Sequence, residues 1–78
     1  MTERKIKLNS IEDVKGFTSL ANSRTYELDL ISGRYAVDAK SIMGIFSLDL
    51  TKTLTLKLHG SDEECQEFLE EAEKFITE

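Results

Sequence analysis

The chain has 78 residues, 40% of them apolar and 32% charged, a composition that suits one small folded domain and excludes intrinsic disorder. Its net charge of −5 excludes general nucleic-acid binding, which needs cations to neutralise phosphates. A single cysteine excludes an internal disulfide, and no apolar run approaches the ~20 residues that span a bilayer.

In chain order, Lys5-Ile6-Lys7-Leu8 alternates charged and apolar residues and predicts a short half-buried strand. Ser10 can cap a helix running to about Asn22, with Glu12 and Asp13 at the positive end of its dipole. Ile11, Val14, Phe17, Leu20 and Ala21 recur at helical spacing and mark one buried stripe. Tyr26-Glu27-Leu28-Asp29-Leu30 alternates again. Ser32-Gly33 then signals a turn, and Arg34-Tyr35-Ala36-Val37-Asp38 returns as the second arm of a hairpin. Ser41 to about Leu48 predicts a short helix. In the following strand Leu54, Leu56 and Leu58 share one face, while Thr53, Thr55 and Lys57 share the other. Ser61 and Glu64 have the spacing of a capping box. Beyond them Cys65, Phe68, Leu69, Ala72, Phe75 and Ile76 form a helical apolar stripe, with Glu67, Glu70, Glu71, Glu73 and Lys74 on the remaining faces.

Each strand thus has one apolar face and each long helix one apolar stripe. Two layers follow: an antiparallel sheet covered by helices on one face and open to water on the other. The expected class is α+β, in a single domain over residues 1–78; the pattern leaves the strand order open.

The segment Lys40-Ser41-Ile42-Met43-Gly44-Ile45-Phe46-Ser47-Leu48 resembles the regulatory-serine segment of HPr, the small phosphocarrier of the bacterial sugar phosphotransferase system. Gly60-Ser61-Asp62-Glu63-Glu64, at the start of the last helix, adds to the likeness, which spans nearly the whole chain. The resemblance implies an open-faced sandwich, a four-stranded antiparallel sheet with three helices on one face in the order β-α-β-β-α-β-α. It also implies that Ser41 is the target of HPr kinase/phosphorylase, and that Ile42, Met43, Ile45 and Phe46 form an apolar patch that docks partners. Those partners would be a transcriptional regulator or another phosphotransferase-system protein. Chemically, Ser41 suits the role: a phosphate on a helix-capping hydroxyl places about −1.5 to −2 charges at the positive end of the dipole. Two residues depart from the family pattern. Asp49 stands where glycine is usual, and Phe46 where methionine is common, which makes the patch more rigid.

A larger departure lies upstream. Family members pass phosphate through a histidine in a Gly-Leu/Ile-His-Ala-Arg-Pro-Ala motif, whereas this chain has no proline and its one histidine is His59. The passage from Leu8 through Asn9-Ser10 to Ile11 is short and holds neither histidine nor arginine. Ser10 cannot replace imidazole as a reversible phosphoryl relay at neutral pH. His59 follows the Leu58 position of its strand and should face solvent or end the strand, with no partner set for a metal. Cys65 lies on the apolar stripe, as a buried structural thiol does.

The expectation is a non-catalytic, cytoplasmic HPr-like regulatory protein of carbon catabolite control, switched by phosphorylation of Ser41 and needing no cofactor, metal or membrane. The family's catabolite-repression paralogue, which lacks the active histidine and keeps the serine, follows the same logic. The alternatives are a phosphocarrier with an unusual acceptor, notionally His59, and an unmodified structural binding module.

Overall fold

Residues 2–77, which the computed structural model describes, form β1 (Thr2–Ile6), α1 (Ile11–Asn22), β2 (Leu28–Ser32), β3 (Tyr35–Asp38), α2 (Ile42–Phe46), β4 (Leu54–Leu58) and α3 (Asp62–Glu71). A 3-10 turn over Glu73–Phe75 follows α3. The four strands make one antiparallel sheet in the order β1-β4-β2-β3. The element order and the one-sided burial are those expected of an α+β open-faced sandwich.

The alternation sets which face is covered. Leu28 and Leu30 of β2, Leu54, Leu56 and Leu58 of β4, and Ile6 of β1 all turn to the helices and are fully buried. Phe17 from α1 meets Phe68 of α3 and Phe75 edge-on, with ring centroids 6.0 and 5.6 Å away. The opposite face carries Glu3, Lys5, Asp29, Thr55 and Lys57. There the Lys5 ammonium donates to Thr55 Oγ1 at 2.8 Å, and Lys57 pairs with Glu3 at 3.7 Å.

Five elements differ in extent from the sequence reading. Among them, α2 spans Ile42–Phe46 rather than Ser41 to about Leu48, because the Ser47 and Leu48 N–H groups close tighter turns onto Gly44 and Ile45. β1 runs over Thr2–Ile6 rather than Lys5–Leu8, because β4 begins at Leu54 and its ladder ends with the pair Ile6↔Leu54. Leu8 is still buried, but from the connection that follows the strand. β2 and β3 form two residues and one residue later than expected. Leu28 is the first residue that finds a partner on β4, in Leu58, and Gly33-Arg34 is taken up by the hairpin loop. Gly33 has φ 61°, as the first position of a type II′ turn requires. Ile11 opens α1 ahead of its first buried turn and is 60% exposed, so it does not belong to the core stripe. Finally, α3 ends at Glu71. The 3-10 turn carries Phe75 into the core, and Ile76 and Thr77 then run along the outer edge of β1. The Lys7 N–H donates to the Phe75 carbonyl and the Thr77 N–H to the Lys5 carbonyl, each at 2.9 Å. That segment covers an edge that would otherwise offer free backbone groups.

Candidate functional site

The site is built where β3 hands the chain to α2. Ala39 is fully buried and its N–H donates to the Leu28 carbonyl at 2.8 Å. The Asp38 carboxylate accepts the Lys40 N–H at 2.8 Å, and the Asp38 carbonyl accepts the Ser41 N–H at 3.0 Å. From the other side, Asn22 Nδ2 donates to the Lys40 carbonyl at 2.9 Å and the Lys40 ammonium to the Arg24 carbonyl at 2.7 Å. Ser41 is therefore held between the end of β3 and the end of α1.

Ser41 is extended (φ −101°, ψ 108°), and its Oγ accepts the Gly44 N–H at 3.1 Å, the geometry of an N-cap. The hydroxyl is half-buried at the rim of the sandwich. Spacing of three places Ile42 and Ile45 on the inner side of α2, and Met43 and Phe46 on the outer side. Met43 is 77% exposed and Phe46 43% exposed. Ile45, expected in the docking patch, is fully buried in the core and offers nothing to a partner, and Ile42 is half-buried. The patch is accordingly smaller on α2 than the sequence reading had it.

Ile11 of α1 adds to the exposed apolar surface beside Phe46. Ile11 and Phe46 line one shallow depression with Lys7, Leu8, Leu50 and Thr51, closed on one side by a 2.9 Å bond from the Lys7 ammonium to the Leu50 carbonyl. Sequence reasoning missed Ile11 here because helical spacing alone assigns it to the buried stripe. Its position as the first helical residue was the available signal.

At the start of α1 the chain's own side chains engage two backbone donors, the N–H groups of Asp13 and Asn9. Ser10 Oγ accepts the Asp13 N–H at 3.1 Å, and the Asp13 carboxylate accepts the Asn9 N–H at 2.9 Å. An incoming phosphoryl group would meet that carboxylate. His59 lies elsewhere, past the end of β4 remote from Leu54; its N–H donates to the Glu27 carbonyl, and its Nε2 is 2.8 Å from Asp29 Oδ2. Cys65 is buried, its thiol facing the Leu58 and Gly60 carbonyls. Among the described residues no cluster of His, Cys, Asp and Glu could hold a metal, and no helix is long and apolar enough to cross a membrane.

A four-stranded open-faced sandwich with a serine capping its short second helix is the architecture of the small phosphotransferase-system carriers. The family model PTS-HPr, described as the PTS HPr component phosphorylation site, matches residues 14–78, and the chain belongs to the HPr family. Among solved structures it is similar to HPr-C-His from Thermoanaerobacter tengcongensis, at TM-score 0.75 and 26% identity over 91% of this chain and 89% of that one. The phosphocarrier HPr of Bacillus anthracis gives TM-score 0.73 and 24% identity over 97% and 96%, a likeness of fold. Crh, the catabolite repression containing protein of Bacillus subtilis, is 36% identical, at TM-score 0.62 over 87% of this chain and 77% of that one, and its structure is described as a domain-swapped dimer. No curated protein matches the chain.

Proposed function

We propose that this protein is a non-catalytic regulatory member of the HPr family, whose binding to partners is switched by phosphorylation of Ser41. The observation that carries the reading is the Ser41 cap: a half-buried hydroxyl on the Gly44 N–H, beside the exposed side chains of Met43 and Phe46. A kinase would transfer the γ-phosphoryl group of ATP to Ser41 Oγ, releasing ADP and the hydroxyl proton. The new phosphate oxygens can take over the Gly44 N–H at the positive end of α2, so the switch adds charge beside the patch without melting the helix. The partner would place an apolar surface on Met43, Phe46 and Ile11 and cations at the phosphate. The 36% identity to a catabolite-repression protein supports a transcriptional regulator as that partner and HPr kinase/phosphorylase as the modifying enzyme. The chain would act in the cytoplasm, without a cofactor.

Intact mass after incubation with ATP and an HPr kinase tests the reading, with Ser41→Ala in parallel. The expected result is one added phosphate on the wild type and none on the variant. Loss of the cap lowers the variant's stability by about 1 kcal/mol, so both proteins are first shown to be folded by circular dichroism. An unmodified wild type would leave Ser41 as a structural cap alone.

A further inference from the structure

The two edges of the sheet are treated differently. The outer edge of β1 is covered by Ile76 and Thr77, whereas among the described residues no hydrogen bond outside the β2 ladder reaches residues 34–37. In a two-residue hairpin the loop-flanking pair Ser32↔Tyr35 exchanges both backbone bonds. Tyr35 and Val37 therefore bond inward to β2, and the N–H and C=O of Ala36 point away from the sheet. β3 is protected only by its shortness, four residues, and by the charges at its ends, and it has no proline, bulge or lysine.

The side chains along this edge carry unmet interactions. Tyr35 is 69% exposed. Arg34 has no carboxylate partner among the described residues. Asp38 stands directly opposite Asp29 on β2, a like-charge pair offset only by the Lys40 N–H on Asp38 and by His59 on Asp29. All of these are met by one arrangement.

We propose that β3 is a self-association edge, on which a second copy of this chain adds its own β3 antiparallel about a two-fold axis at Ala36. That axis pairs Ala36 with Ala36 through the two outward backbone groups. It also sets Arg34 opposite Asp38 twice on the open face, and Tyr35 opposite Val37 twice on the helix face. Opposite charges and an aromatic beside a β-branched residue are the favourable cross-strand pairs, and the sequence Arg-Tyr-Ala-Val-Asp is complementary to itself in this register only when Ala36 is central. The four strands of each copy would join into one continuous sheet, with both helical layers on the same face. The contact is short, so the dimer belongs to the transient class below about 1,200 Å².

Sedimentation equilibrium up to about 1 mM protein tests this, with wild type, Arg34→Glu, Asp38→Arg and an equimolar mixture of the two variants. Each variant alone sets like charges opposite at both ends and should self-associate about tenfold more weakly than wild type. The mixture restores both opposite-charge pairs and should recover a heterodimer. Ala36→Cys should form an intermolecular disulfide under mild oxidation, because a bonded antiparallel pair has Cα atoms about 5.5 Å apart. A wild type monomeric at about 1 mM overturns the proposal. So does a dimer insensitive to Arg34→Glu, as exchange of segments between copies would give, or a mixture no more associated than its components.

Discussion

Gly44 leaves no room for a side chain: a Cβ there would stand 3.2 Å from Ser41 Oγ and 3.3 Å from Val37 Cβ. The helix that carries the candidate site is thus set on β3 by the absence of one carbon. Alanine is the better helix former by about 1 kcal/mol, but the crowded atom on Val37 belongs to a strand and cannot swing away. Gly44→Ala should therefore lower stability by on the order of 1 kcal/mol, and should cost less in a Val37→Gly background, where the crowded carbon is gone. Urea midpoints for the two single variants and the double variant measure the coupling. Strict additivity would mean that α2 adjusts without strain.

The start of α1 supports an outcome for phosphoryl transfer. Ser10 and Asp13 engage the N–H groups of Asp13 and Asn9 and set a carboxylate at this helix start, and His59 sits beside Asp29 at the far end of β4. Incubated with phosphoenolpyruvate and the general phosphotransferase enzyme, the protein should acquire no acid-labile phosphate. Label that His59→Ala abolishes would identify a displaced acceptor instead.

Much of this was legible in the sequence, and the failures share a physical cause. Period-two alternation identified the inward residues Ile6, Leu28, Leu30, Leu54, Leu56 and Leu58, because every one of them must meet the helices. What alternation cannot fix is where a strand stops, since that depends on its neighbour. Lys7 and Leu8 continue the pattern of β1, yet β4 has no residue left to pair with them. In α2 the difficulty is length. Five residues are too few for a periodicity, so the resemblance of the whole segment was extended to Ile45, which the helix turns into the core. The cap at Ser41 was readable because it is local, a hydroxyl three residues before the amide it accepts from. Ile11 was misplaced for the converse reason: its spacing is right, but the first residue of a helix lies beyond the turns that the sheet covers.

Phe17 should be the most sensitive core position. It is fully buried and its ring makes edge contacts with both Phe68 and Phe75, so it joins α1, α3 and the 3-10 turn. Phe17→Ala removes the ring and leaves a cavity that three elements must collapse to fill, at about 3–5 kcal/mol. A domain of this size has about 4–12 kcal/mol in total, so the variant should lose about a quarter of it or more and melt at least about 12 °C below the wild type. Phe17→Leu, which keeps most of the volume, should stay folded with a lower thermal midpoint. Equal stability of the alanine variant and the wild type would place the core elsewhere.

Tyr26 gives the fold an alkaline limit. Its ring lies against Gly60, where a Cβ would come within 3.0 Å, and its hydroxyl donates to the Glu64 carbonyl at 3.1 Å. Burial raises the phenol above its ordinary 10.0, opposed in part by the hydrogen bond and charge of Arg24. A group whose folded pKa is raised binds its proton more tightly in the native state. Its contribution is therefore fully present below about pH 10 and is lost as the pH rises through the folded value. Tyr26→Phe should be less stable than wild type near pH 8, because the bond to Glu64 is gone, by about 1 kcal/mol. Above about pH 10 the wild type should progressively lose that advantage while the variant, with no phenol at this position, should not. Urea midpoints of the two proteins across this range measure the difference, in which the lysines common to both cancel. A gap that stays constant to pH 11 or above would mean that the phenol titrates as it does in the unfolded chain, and that the contact with Gly60 confers no protection on it.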